Sequence, residues 1–267
     1  MDQVECDRGH GTMSRIMDFP VYVFAISFLA MWLSVRLGSS FRRWRRPLEE
    51  DEREDFRLVL GSTLTLLGLI IGFTFSMAVS RYDQRKNYEE SEANAIGTEY
   101  VRADLLPAAD AAKVRTLLTS YLKQRILFYT VRDDRQLPQV NASTAQLQSD
   151  LWSAAQTPAS AHPTGVIALA VSGMNDVLNS QGYTQFAWGN RIPFAAWCLL
   201  GAITVCCHLL VGYGARRSEL KAILFIVLPF VVSISFFLIA DIDSPRHGVI
   251  RVRPQNLEIL AQSLRSN

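Results

Sequence analysis

Residues 58–80, LVLGSTLTLLGLIIGFTFSMAVS, decide how the rest of the chain is read. The stretch carries no charged side chain, and at helical rise it is long enough to cross a hydrocarbon core of ~30 Å. Two stripes run along it. Gly68, Gly72 and Ser76 recur every fourth residue and line one helical face with small side chains. Thr65, Leu69, Phe73 and Met77 recur at the same spacing, about 100° further round the helix. The first stripe suits close approach of another backbone, and the second presents a bulky rung at every turn. Two readings follow. One is a packing seam of the Gly-x-x-x-Gly type; the other is one wall of a narrow lumen inside a ring of helices. The stripes alone support both equally.

Apolar residues make up 49% of the 267, and they fall into four blocks rather than spreading evenly. A formal net charge of +2 leaves no polybasic surface for nucleic acid. Cys6, Cys198, Cys206 and Cys207 contain no CxxC pair, and three of them sit inside one apolar block, so neither a disulfide framework nor a zinc ribbon follows. The predicted class is an all-α membrane protein. It has four transmembrane helices, with a helical extramembrane domain inserted between helices 2 and 3.

Residues 1–18 read as a polar N-terminal tail in which Met13 and Met17 are candidate alternative starts, and no function is assigned to it. Transmembrane helices 1 and 2 occupy 19–80, at about 19–38 and 58–80. The first is too long for a signal-peptide core and runs into FRRWRR instead of a small-residue cleavage site, so it is read as retained. Arg36 at its end reaches toward the headgroups. The connector, 39–57, holds Arg42, Arg43, Arg45 and Arg46, then LEEDERED. Its basic half fits a headgroup layer or a solvated linker equally well.

The polar segment 81–190 reads as helical. The pattern predicts a helix over 88–105 with Ala93, Ile96, Gly97, Tyr100 and Asp104 on one face, and another over 110–130 with an apolar stripe through Val114, Leu118 and Leu122. A turn is expected at Pro138 and Asn141. Ser143 and Gln146 then form a capping box opening a short helix, Pro158 and Pro163 break the chain, and a last helix runs over 164–188. Helices 3 and 4 lie within 191–240, at about 192–213 and 219–240, with Pro193 in the first turn of helix 3 and Pro229 kinking helix 4. Arg216 and Arg217 sit in their connector. The C-terminal tail, 241–267, reads as an extended segment and a short helix.

Away from their ends, the membrane blocks hold one ionisable side chain, His208, and no Asp, Glu or Lys. Pumps and proton-coupled transporters need such groups in the membrane, so active transport is disfavoured. His10, His162, His208 and His247 are scattered, and no GxSxG, HExxH or glycine-rich phosphate loop occurs. The chain is not expected to be an enzyme or to bind a cofactor. Cys206-Cys207-His208 offers ligand atoms, but consecutive residues point in different directions around a helix, and small apolar packing accounts for them. Asp241 and Asp243 are the only metal candidates. A hard cation there would need further oxygen donors, and a solvated helix end is the default. Asn141-Ala142-Ser143 matches a glycosylation pattern by chance.

The run IGFTFSMAVSRYDQRKN resembles the second transmembrane helix of bestrophin channels, an apolar helix with Gly-Phe near its middle followed by an aromatic and charged cluster. From residue 19 onward the chain is similar, more closely still, to the bacterial bestrophin-like membrane proteins. LLGLIIGFTFSMAVSRYDQRKN, EANAIGTEYVRADLLP and DIDSPRHGVIRV carry that similarity. The resemblance implies a homopentamer around an axial pore, with four membrane helices per subunit and a helical cytoplasmic domain extending the conduit. Its partners would be the lipid bilayer, further copies of the chain and inorganic ions. In bestrophins the neck is lined by three apolar residues, four apart, on the second helix. Matched on Gly-Phe, these fall at Phe73, Leu69 and Thr65, with Met77 one turn further on. Thr65 departs from the pattern, which implies a shorter or wetter constriction. Arg81, Asp83, Arg85 and Lys86 would form the pore mouth. Bestrophins that bind calcium carry an acidic run after the fourth helix; here only Asp241 and Asp243 stand, and the longer run is missing.

The resemblance implies a bacterial inner membrane, multi-pass, with the central domain in the cytoplasm. Basic residues near the span ends are balanced between the two sides, and the first span alone would put its connector inside. The rival reading is a non-conducting membrane scaffold or sensor. In it helix 2 packs in a dimer and the 81–190 domain binds a partner through Glu89, Glu92, Asn94 and Asp104.

Overall fold

The apolar stretch is the middle of one uninterrupted helix. In the computed structural model, which describes residues 19–44, 50–215 and 218–266, that helix runs Glu50–Arg102. It contains no proline. Glu50, Asp51 and Glu52 occupy its first turn and Arg102 its last, matching the signs of the helix dipole. The helices in order are α1 Pro20–Trp44, α2 Glu50–Arg102, α3 Ala108–Thr130, α4 Leu137–Ala161, α5 Gly165–Gly189, α6 Phe194–Gly214, α7 Ser218–Asp243 and α8 Gln255–Ser266. Single 3-10 turns, Ala103–Leu105 and Asp134–Gln136, precede α3 and α4, and no strand occurs among the described residues. The expected tail 1–18, and Arg45, Arg46, Arg216 and Arg217, lie outside those residues. Among the described residues, four segments are long and apolar enough to cross a membrane: Pro20–Arg42, Phe225–Asp243, and the apolar stretches within Glu50–Leu105 and Gly165–Gly214.

The chain divides into two compact units. The first comprises the chain up to Arg81 together with Arg191–Arg251. Here α1 packs against α6 and α7 around Met31, Val35, Leu200 and Ile239. The α1–α6 crossing is at backbone contact. A Cβ on Gly38 would lie 2.1 Å from the Leu209 carbonyl oxygen, and one on Gly212 would lie 2.0 Å from that of Val35. Arg42 donates to the carbonyls of Tyr213, Gly214 and Ala215, at 3.4, 3.2 and 2.8 Å. It thereby satisfies carbonyls that the end of α6 leaves without helical partners.

The end of α7 corrects one expectation. Asp241 and Asp243 are buried, not solvated. Asp241 accepts from the backbone N–H groups of Val249 and Ile250, at 2.7 and 2.8 Å, and Asp243 accepts from that of Ile192, at 3.2 Å. Their carboxylates fasten the backbone on either side of the last membrane helix. Among the described residues no group of three or more His, Cys, Asp or Glu is placed to hold a metal.

The second unit comprises Tyr82–Asn190 and the chain from Val252 onward. Its core gathers Ile96, Val114, Leu118, Leu122, Leu151, Met174, Val177 and Leu257. Three expectations fail here. Pro138 lies in the first turn of α4, where a missing N–H costs nothing, so no turn forms at 138–141. Ser143 and Gln146 are therefore interior to α4 and cap nothing. Pro158 is also inside α4, which continues to Ala161.

Candidate functional site

Among the described residues, both stripes of α2 are left uncovered. Only 11% of the most apolar window of α2 is buried, against 28%, 33% and 44% in the other three membrane segments. What α2 buries in this half is the row Leu67, Thr74 and Ala78. On the opposite side, Thr65, Gly68, Leu69, Gly72, Phe73, Ser76 and Met77 are all exposed, Phe73 at 62% and Leu69 at 51%. Among the described residues nothing lies within 4 Å of a Cβ placed on Gly68 or Gly72, so neither glycine packs against any of them. Thr65 is less polar than its name. Its hydroxyl donates to the Gly61 carbonyl at 3.0 Å, leaving the methyl as the group presented outward.

The four mouth residues do not stay together. Asp83 and Lys86 are exposed, whereas Arg81 is half-buried and leans back to 3.7 Å from the Met77 sulfur. Arg85 is buried and donates through Nε to the Ala187 carbonyl at 3.3 Å, tying α2 to the end of α5.

The polar part of α2, beyond the membrane stretch, buries charge. Glu89, Glu92 and Glu99 lie on its inner face with Ile96, whereas Tyr100 and Gly97 are half-exposed; just beyond the helix Ala103 is buried and Asp104 exposed. Glu92 pairs with Arg125 of α3, both fully buried, and also accepts from Tyr129 Oη and Thr184 Oγ1, each at 3.2 Å. Burial pushes the Tyr129 phenol upward, and the Glu92 carboxylate adds to the rise. Glu89 caps α8, accepting from the backbone N–H groups of Asn256 and Leu257, at 2.9 and 3.1 Å, and from Asn256 Nδ2 at 2.7 Å. Burial raises the Glu89 carboxyl above its usual range, against the pull of those hydrogen bonds. Glu89 and Glu92 are therefore internal fasteners, not the surface recognition residues of the scaffold reading; Asn94 remains exposed, and Asp104 pairs with Arg115.

Sequence reasoning missed the burial of Arg85 and the Glu92–Arg125 pair. A signal for the first was present, because at 3.6 residues per turn Arg85 falls about five turns after Leu67, in the buried register. Nothing local announces the second.

Solved structures with this fold include two of a bacterial bestrophin homologue from Klebsiella pneumoniae, each carrying a point substitution. One has a TM-score of 0.62 at 14% identity, covering 92% of this chain and 98% of that one. The other has a TM-score of 0.63 at 13% identity, covering 92% and 97%. A crystal structure described as a membrane protein gives 0.65 at 13% identity, covering 92% and 97%. At these identities the likeness establishes the fold. Among curated proteins there is no significant match. The Bestrophin-like domain matches residues 23–257, nearly the whole described chain, and the protein therefore belongs to the Bestrophin-like family.

Proposed function

We propose that this chain is one subunit of an oligomeric ion-conducting pore, five copies around an axis, in a bacterial inner membrane with the 81–190 region in the cytoplasm. The observation that carries the reading is the uncovered face of α2. A membrane helix that leaves both a small-residue stripe and a bulky stripe unpartnered among the described residues has room for a neighbouring copy on one and a lumen on the other. In this reading Gly68, Gly72 and Ser76 take the close approach of the next subunit. Leu69 and Phe73 form a hydrophobic constriction that gates by dewetting, with Thr65 and Met77 as its outer rungs. Asp83 and Lys86 shape the field at the mouth. An apolar neck does not declare a sign, so the reading names inorganic ions without a preferred charge.

The test is current through planar bilayers containing the purified protein. The expected result is a measurable conductance that rises in Phe73→Ala and Leu69→Ala, because shortening either rung lets the constriction wet. A silent wild type whose two variants stay silent overturns the reading. Mass in detergent provides a second check, since a monomer or dimer has no ring to conduct through. Reporter fusions after Asn141 test the orientation, and a periplasmic signal there sinks it.

A further inference from the structure

Away from the membrane stretch, α2 and α5 leave between them an open groove of about 400 Å³, with Tyr88 and Ser91 on one wall and Asp176, Asn179, Ser180 and Tyr183 on the other. The volume is that of a small-molecule site, far beyond what a water or a bare ion fills. The rings of Tyr88 and Tyr183 stack there, with centroids 5.9 Å apart. No basic side chain lines the groove. Asp176 is its only charged lining residue, and it forms no ion pair among the described residues. The hydroxyl protons of Ser91 and Ser180 are already given to the Asn87 and Val177 carbonyls, so these two offer a ligand only lone pairs. Tyr88, Tyr183 and Asn179 keep donors of their own, but with both Asp176 oxygens the acceptors of the lining outnumber them.

A second carboxyl stands next to it. Glu99, one turn beyond Ala95 of the groove, is fully buried, and both its carboxyl oxygens lack a hydrogen-bond partner. It shares with Arg102 the notch left by a glycine on α5, where a Cβ on Gly173 would come within 2.0 Å of Glu99 Oε2 and 2.6 Å of an Arg102 guanidinium nitrogen. Two charged groups face it: Arg102 of its own helix and Asp176 across the seam on α5. Burial pushes the Glu99 carboxyl up to about 8, with Arg102 opposing the rise and Asp176 adding to it.

We propose that the α2–α5 groove binds a small organic cation bearing an ammonium group, held by Asp176, faced by the rings of Tyr88 and Tyr183, and reinforced by the carboxylate of Glu99. Aromatic faces and carboxylates both attract such a cation. Its N–H donors match the surplus of acceptors, whereas an anion would meet Asp176 with no basic side chain in the lining, the nearby Arg102 lying in the Gly173 notch beside Glu99. The site does not depend on whether the protein conducts.

Isothermal titration calorimetry of the purified full chain with n-butylammonium chloride, against sodium chloride at equal ionic strength, tests it. Saturable binding is expected, weakened at least about tenfold in Asp176→Asn and several-fold in Tyr183→Ala, an exposed position whose replacement leaves the fold intact. Butylammonium keeps its charge at mildly alkaline pH while Glu99 ionises. Affinity should therefore rise several-fold from about pH 7 to about pH 9, and that rise should be absent in Glu99→Gln. Heats no different from sodium chloride, equal affinity in Asp176→Asn and Tyr183→Ala, or a wild-type affinity indifferent to pH would each overturn the proposal.

Discussion

Two pairs of glycines in the membrane helices have opposite surroundings. Gly38 and Gly212 sit where α1 and α6 touch backbone to backbone, while Gly68 and Gly72 on α2 look onto open space. A small residue in an apolar helix signals that something approaches closely, but not from where. For the α1–α6 crossing the approaching surface belongs to the same chain. For α2 no described residue supplies it, and in the proposed reading it is the next subunit. In that reading the pattern that stood out in the sequence bears on assembly, and the pair that closes the subunit carried no spacing to notice.

The strongest test of this contrast is Gly212→Val. Its Cβ would fall 2.0 Å from a backbone oxygen, which cannot swing aside as a flexible side-chain tip can, so the helices must separate. Overpacking a well-packed site typically costs about 1–3 kcal/mol, and a backbone clash belongs at or beyond the upper end. Thermal melting in detergent should show a large drop or no folded protein. Gly72→Leu is the counterpart. It should leave helicity and the packing of α1, α6 and α7 unchanged, yet shift the mass of the purified particle from an oligomer to a monomer. If Gly72→Leu unfolds the chain as severely as Gly212→Val, the open face of α2 is filled from within and the contrast collapses.

The same helix draws a second contrast along its length. Its apolar half leaves Leu69 and Phe73 uncovered, and its polar half hides Arg85, Glu89, Glu92 and Glu99. Among these only Glu99 has both carboxyl oxygens unpartnered. Its carboxyl rises from the usual 4.5 to about 8, so across that interval the folded chain holds a proton that the unfolded chain has released. The sign follows from linkage. The contribution is fully present below about pH 4.5 and is lost as pH rises through about 8. Glu99→Gln cannot ionise and should remove that decline, melting higher than the wild type at alkaline pH and no higher near pH 5. Parallel pH profiles for the two proteins would show that Glu99 is solvated after all.

Much of the fold was legible because membrane helices declare themselves by length and apolarity, and α3 by its stripe of Val114, Leu118 and Leu122. What was not legible has specific physical causes. Proline reads the same whether it breaks a helix or opens one, so Pro138 was expected in a turn and instead begins α4. A capping box is only four residues long, and Ser143 with Gln146 meets its pattern inside a helix. Residues 81–86 looked like a single charged mouth because charge was read before period; turn counting separates buried Arg85 from exposed Asp83 and Lys86. Glu92 and Arg125 are 33 residues apart on different helices, and no local rule pairs them. Of the candidate site, the two stripes could be read from spacing, but their being uncovered needed the rest of the chain in place.

The smallest effect on the subunit is expected from Phe73→Ala, and it separates fold from function most cleanly. Truncating a buried phenylalanine costs about 3–5 kcal/mol, because the lost transfer energy is joined by the cavity left behind. Phe73 is 62% exposed in the single chain, so little of its ring has left its surroundings and no cavity can form. Surface substitutions of this kind fall within about 0.5 kcal/mol. The melting temperature of the variant subunit should therefore match the wild type, while its conductance should not. A destabilisation of core size would mean that Phe73 packs inside the subunit, and α2 would then have no free face left to line a pore.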